Sequence, residues 1–254
     1  MDVLVGIVVG TVLGLTGAGG SVFAVPLLIY VLKLSPQTAM GISLGIVGIS
    51  ACFGVFTKLK SKQINWVPGM IFAAIGSITA PLGIYLNKQF NEKLLLTGFA
   101  FVVMIVAFRM FKRSSHESNT SNDIKTTEIS KKTILIAITM AALTGILSGL
   151  FGVGGGFLII PSLVIIMRFN IQSAIATSFL IISIVSMSGF ISFINSHNDF
   201  THYHLFLKLV GGGMLGMLVG NKIGKHLPGA ILEKLFAILM LVMAVFVFGK
   251  TILN

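Results

Sequence analysis

Gly14-Leu15-Thr16-Gly17-Ala18-Gly19-Gly20-Ser21 and Gly149-Leu150-Phe151-Gly152-Val153-Gly154-Gly155-Gly156 are two occurrences of one pattern, and reading them decides the fold. Each lies between apolar runs of helical character. Three glycines within four residues do not continue an α-helix comfortably, since each costs roughly 1 kcal/mol relative to alanine, so the helix is expected to break. The flanks are apolar enough to put the break at membrane depth, where freed backbone is tolerated only against protein or a water-filled cavity. A helix resuming near Ser21 in one copy and Gly156 in the other aims unpaired N–H groups and the positive end of its dipole at whatever fills that cavity. An anion is the natural occupant.

The surrounding composition supports a bilayer setting. Of 254 residues, 55% are hydrophobic and 10% charged, whereas soluble domains carry about a quarter charged residues. Several apolar runs reach the roughly 20 residues needed to cross a hydrocarbon core, and the start of the chain has no basic region ahead of its apolar run. The formal charge of +11 resides in Lys and Arg of short loops, which is a topological signature and not a footprint for nucleic acid. Cys52 is the only cysteine, so an internal disulfide and a Cys-rich metal site are excluded, and a small buried side chain is expected there.

Read in order, residues 2–33 form a first broken apolar element. Spans follow at 36–57, 67–86 and 93–111, the first opened by Pro36 and the second introduced by Trp66, a residue suited to the membrane interface. The stretch 112–132 is polar, free of aromatics and of mixed charge, and reads as a linker. A broken element at 133–168 and spans near 172–195, 204–224 and 229–251 repeat the order. The expected organisation is a first membrane repeat over 1–111, the linker over 112–132 and a second repeat over 133–254.

A shift of 135 residues makes the repeat explicit, pairing Gly10 with Gly145, Gly14 with Gly149, Gly17 with Gly152, Pro26 with Pro161, Gln37 with Gln172, Ser43 with Ser178 and Gly54 with Gly189. Internal repeats of this kind characterise many secondary transporters, with sites near the midplane where the repeats meet. If each broken element crosses fully, the repeats are parallel and Lys and Arg divide about 10 to 7 across the membrane. If each is re-entrant, the repeats are inverted and the division becomes about 13 to 4, with Lys58, Lys60, Lys62, the linker, Arg168, Lys222, Lys225 and Lys234 on the cytoplasmic side. The second division obeys the positive-inside rule better. The fold expected is an all-α polytopic membrane protein of two inverted repeats, each a Gly-broken re-entrant helix pair plus three transmembrane helices.

The chemistry follows from what the spans carry and lack. Two turns entering from opposite faces can bracket one anion, with Thr16, Gly17, Gly19, Gly20, Ser21, Ser43, Gly152, Gly154, Gly155, Gly156, Thr177 and Ser178 as the binding set; backbone N–H groups and hydroxyls are its donors. A hydroxyl bonded back to its own helix is the competing reading for Ser43 and Ser178, and close helix packing the competing one for the glycines. A dinucleotide fingerprint fails because no strand precedes either turn. Asp2, Glu92, Glu117, Asp123, Glu128, Asp199 and Glu233 all fall at ends or in loops, leaving no buried carboxylate for a proton relay. Lys208 lies within a span and is expected to snorkel. His197, His202 and His204 surround Asp199 in a loop that reads as solvated. No cofactor, resident metal or catalytic group is expected.

The paired Gly-x-x-Gly-x-Gly-Gly turns, a Pro six residues after each, Ser43 and Ser178 early in the following spans, and Gln63-Ile64-Asn65-Trp66 before the next resemble the sulfite exporter TauE/SafE family, also called the 4-toluene sulfonate uptake permeases. The resemblance covers nearly the whole chain. It implies a transporter of the cytoplasmic membrane that moves small sulfur oxyanions such as sulfite or organosulfonates, driven by a proton or sodium gradient. Its partners would be that anion, the lipid bilayer, the coupling ion and a second copy in a homo-oligomer. The first repeat has Ile42 where the second has the more family-like Thr177. A passive anion channel and a membrane-embedded sulfur enzyme are the alternatives, the latter lacking any evident nucleophile or acid–base pair.

Overall fold

The computed structural model describes residues 1–17, 19–59, 63–114, 131–167, 169–196 and 203–253, and every regular element among them is helical. They run α1 (Asp2–Thr16), α2 (Gly19–Tyr30), α3 (Pro36–Lys58), α4 (Trp66–Asn87), α5 (Glu92–Ser114), α6 (Lys131–Phe151), α7 (Gly156–Pro161, continued by one π-helical stretch to Ile166), α8 (Ile171–Ser196), α9 (Tyr203–Gly224) and α10 (Gly229–Leu253). Among the described residues α3, α4, α8 and α9 are long and apolar enough to cross a membrane. The expected bounds of these spans lie within a residue or two of the observed ones because local signals fix them. Ser35 caps α3 by accepting from the Thr38 N–H at 3.4 Å with Pro36 in the first turn, where its missing N–H is not needed.

The molecule is organised around α3 and α8, the most enclosed of the spans. They run antiparallel: Gly41 lies beside Phe193, Gly45 beside Phe190, Leu44 beside Gly189 and Gly54 beside Phe179. The last two contacts exchange the same pair of positions under the 135-residue shift. Outside this pair, α1 runs parallel to α9, with Gly6 against Leu209 and Gly212, Gly10 against Gly213, and Gly14 against Met217 and Gly220. On the other side α6 runs parallel to α4, with Gly145 against Gly76 and Gly149 against Ala80 and Gly83. A Cβ at these glycines would fall on the facing backbone, so the close-packing reading holds for them: without a hydrophobic driving force between helices in lipid, small residues permit the contact. Each broken element thus packs against a span from the other half of the chain.

The structure corrects two expectations and leaves others outside the described residues. The second helix of the first half starts at Gly19 and not near Ser21. Gly17 alone supplies a left-handed C-cap, φ 74°, with its N–H donated to the Leu13 carbonyl at 2.7 Å, and Gly20 is then helical, lying against Val9 and Leu13 of α1. Cys52 is exposed because its face of α3 opens into a groove of about 820 Å³ that also meets Ser77, Ser183, Ser188 and Asn195. Lys208 sits 3.8 Å from the Asp2 carboxylate, its side chain 61% exposed, as a lysine reaching for an interface does. Residues 115–130 of the expected linker, the side chain of Ser21, and His197 and His202 lie outside the described residues.

Candidate functional site

Each glycine turn is tied to the opposite half of the chain by a serine. The Ser178 hydroxyl donates to the Gly17 carbonyl at 2.9 Å and lies 2.8 Å from its own Ile175 carbonyl. The Ser43 hydroxyl makes the counterpart pair, with the Gly152 carbonyl and with the Met40 carbonyl at 2.9 Å. Each hydroxyl touches its own helix, as the local reading has it, and also one turn of the opposite half, a contact that neither reading contained. Losing the donor strands a buried carbonyl, so Ser43→Ala and Ser178→Ala should each lower stability by about 1–3 kcal/mol. Thermal unfolding of the purified variants checks this, and the equivalence of the two bonds predicts similar losses. Of the other expected hydroxyls, Thr16 donates to Val12 at 2.7 Å and Thr177 accepts the Asn65 N–H at 3.0 Å.

The second turn holds more left-handed residues than the first. Gly152, Gly154 and Gly155 adopt φ of 67°, 67° and 69°, a region that glycine enters without penalty. A side chain at Gly154 would meet the Ser186 hydroxyl oxygen at 2.5 Å and Val47 at 3.1 Å, so this turn reaches the middle of α3 and α8. At Gly155 it would meet Thr144 and Ser148 of α6.

A cavity of about 160 Å³ leads to the first turn, lined by Gly14, Leu15, Lys58, Gln63, Gln172, Asn221 and Lys225. The ends of α3 and α9 bring the two lysines to it, and the start of α8 brings Gln172, whose side-chain oxygen accepts from the Gln63 amide at 3.3 Å. Asn221 is oriented by donating to the Thr57 hydroxyl at 2.7 Å. Two ammonium groups and three amides with no carboxylate make this a lining for an anion. At the counterpart positions in the opposite half stand Phe193 for Lys58 and Ile84 for Asn221, the latter because Ile84 lies against Gly149 as Asn221 lies against Gly14, and Phe193 packs on Gly41. Beside the second turn Asn87 donates to the Leu150 carbonyl at 2.6 Å.

The expected set omits four buried hydroxyls. Ser50, Thr144, Ser148 and Ser186 are at most 1% exposed, and none makes a hydrogen bond. In the sequence they show only as departures from the repeat: Thr144, Ser148 and Ser186 stand where the first half has Val9, Leu13 and Ala51.

Comparisons with known proteins bear on the family of the chain. A family model described as "Sulfite exporter TauE/SafE" matches residues 3–247. The chain is 29% identical over 247 residues to a protein of Xylella fastidiosa described as a probable membrane transporter protein, covering 96% of this chain and 92% of that one. Proteins with the same description from Bacillus subtilis, 27% identical over 94% of this chain and 93% of the relative, and from Methanocaldococcus jannaschii, 26% identical over 89% and 88%, are also similar. No solved structure matches the chain.

Proposed function

We propose, from the premise that this chain belongs to the sulfite exporter TauE/SafE family and is a multi-pass membrane transporter, that it is a secondary transporter of small sulfur oxyanions across the cytoplasmic membrane. The observation that carries this reading is the cavity bearing Lys58, Lys225, Gln63, Gln172 and Asn221, which reaches Gly14 and Leu15 at the first glycine turn. An oxyanion entering there meets two cations, then the end of α1 at Gly14 and Leu15, with the unpaired first N–H groups of α2 as donors beyond it. Thr177 borders the same end of α8.

In this reading the two halves are inverted repeats around α3 and α8. Their antiparallel course and the paired serine bonds to the opposite turns support it, as does the positive-inside division, which makes the Lys58 and Lys225 face cytoplasmic. Transport then exchanges the roles of the halves: the lysine-lined side closes as the Phe193 side opens, and Ser43 with Gly152, Gly154, Gly155 and Gly156 serves the anion from the outer face. The test is uptake of labelled sulfite, sulfoacetate, sulfate and acetate into proteoliposomes holding the purified protein. Saturable flux of a sulfur oxyanion that exceeds acetate flux and is driven uphill by an imposed proton or sodium gradient supports the reading. Flux that only follows the anion's own gradient would make the protein a channel.

A further inference from the structure

We infer that Lys58 and Lys225 make the lysine-lined cavity selective for doubly charged oxyanions over singly charged sulfonates; this rests on the transporter reading above and names the charge of its substrate. Lysines at the ends of spans ordinarily mark topology and stand in water. Lys225, exposed just past α9, is of that kind. Lys58 is not. It closes α3 with 7% of its surface exposed, and an ammonium drawn out of water needs negative charge or oxygen to compensate it. Both lysines line one cavity, near enough for their like charges to act on each other.

The charge of the ligand follows from the lining. Among the described residues of the cavity wall, Lys58 and Lys225 are cationic and none is Asp or Glu. A singly charged ligand leaves one of two repelling cations unbalanced, whereas a dianion balances both. The volume of about 160 Å³, about five waters at roughly 30 Å³ each, has room for one small oxyanion. The amides are held as donors around it. The Gln172 side-chain oxygen is occupied by the Gln63 amide, which leaves the Gln172 N–H groups for a ligand. Asn221 donates to the Thr57 hydroxyl, which itself donates to the Gly54 carbonyl at 2.7 Å, so the Asn221 amide is kept in one orientation. Amide donors serve an oxyanion of either charge, and discrimination by charge therefore falls to the lysines.

The selection belongs to one half of the chain. In the other half Phe193 stands in the place of Lys58 and packs on Gly41. Lys88, which matches Lys225 in the register that pairs Ile84 with Asn221, donates to the Ser196 carbonyl at 2.9 Å.

Sulfate, thiosulfate and methanesulfonate test the inference, because all three are tetrahedral at sulfur with the same number of non-hydrogen atoms, and only the last is singly charged. The full-length protein in detergent is titrated with their sodium salts at constant ionic strength, with thermal unfolding as the readout. The two dianions should bind at least about tenfold more tightly than methanesulfonate. Sulfate also stabilises proteins by exclusion from their surface, but that effect neither saturates nor depends on Lys58 and Lys225. In Lys58→Gln and in Lys225→Gln the preference for dianions should fall toward parity, with methanesulfonate binding changed less. A ratio of affinities is not moved by a mere loss of stability, and Lys225→Gln, at an exposed position, keeps the test decisive if the buried variant folds poorly. No saturable stabilisation by either dianion, equal affinity for sulfate and methanesulfonate, or a preference unchanged in both variants overturns the inference. Proteoliposome flux separates it from the reading it rests on. Sulfur oxyanions carried without preference for dianions in binding or flux remove the charge selection and leave the transporter. Selective dianion binding lost in the variants, with no sulfur oxyanion carried, removes the proposed transport and leaves the dianion site.

Discussion

Gly152→Ala is expected to give no transport and little folded protein. Gly152 has φ 67°, where an L-residue is penalised by roughly 1–2 kcal/mol. The larger effect is steric. The added Cβ would fall on the backbone of Met40, 2.5 Å from its carbonyl carbon, and backbone in the first turns of α3 cannot swing aside as a side chain can. Relieving that overlap requires the turn to leave α3, which also breaks the bond from Ser43 and withdraws Gly154 from the middle of α3 and α8. The combined loss is about 4 kcal/mol or more, in the range reached only by such overlaps, against a typical total stability of about 5–15 kcal/mol. Gly17→Ala should be milder, since its Cβ meets Ile175 at 2.9 Å and the Ser178 hydroxyl at 3.0 Å, groups that can shift in part. Gly211→Ala is the control: nothing lies within 4 Å of a Cβ there, so yield, unfolding temperature and flux should match the parent. Monodispersity and thermal unfolding of the three variants, followed by flux, check the order Gly152 worst, Gly17 intermediate, Gly211 silent.

The double substitution Lys58→Gln with Lys225→Gln should leave the fold intact and weaken anion binding by about 100-fold, since a hydrogen bond to a charged group is worth about 1.5–3 kcal/mol and the two contributions are not fully additive. Both residues line the cavity, Lys58 buried at the end of α3 and Lys225 exposed just past α9, so unfolding of the double variant without anion is measured beside binding to separate a packing cost from a ligand cost. Glutamine keeps the length and a donor but removes the charge. Binding measured by sulfite-induced thermal stabilisation should lose most of its salt sensitivity along with its strength, because charge attraction is what added salt screens. Undiminished affinity in the double variant would move the anion away from this cavity.

How much of this was readable in advance differs from residue to residue. Gly17 and Gly152 announced both breaks because glycine's cost in a helix is a property of the residue itself. Ser43 and Ser178 were visible as a repeated pair, but their bonds were not: that each would reach the turn of the opposite half depends on α3 and α8 crossing antiparallel, which no short window contains. Cys52 was expected inside and is exposed, because the groove that admits it is a gap between three helices. Gly6, Gly10 and Gly14 read as small residues, and only the pairing of α1 with α9 explains why none can carry a side chain. Thr144 and Ser148 passed as ordinary polar interruptions of an apolar helix, since a hydroxyl's usual partner is its own backbone and the sequence does not say when that bond is forgone.

By itself, then, the sequence determined that the chain belongs in a bilayer, where its spans begin and end, where two helices break, and that one half echoes the other. These are consequences of hydropathy and backbone preference, which act over a few neighbouring residues. The tertiary structure decided where the lysine-lined cavity forms and which buried hydroxyls make no hydrogen bond. Lys58 and Phe193 occupy matching positions in matching spans, yet one lines a cavity and the other packs on Gly41, because burial and hydrogen bonding depend on what the neighbouring helices place within a few ångströms, and that is settled only when they pack.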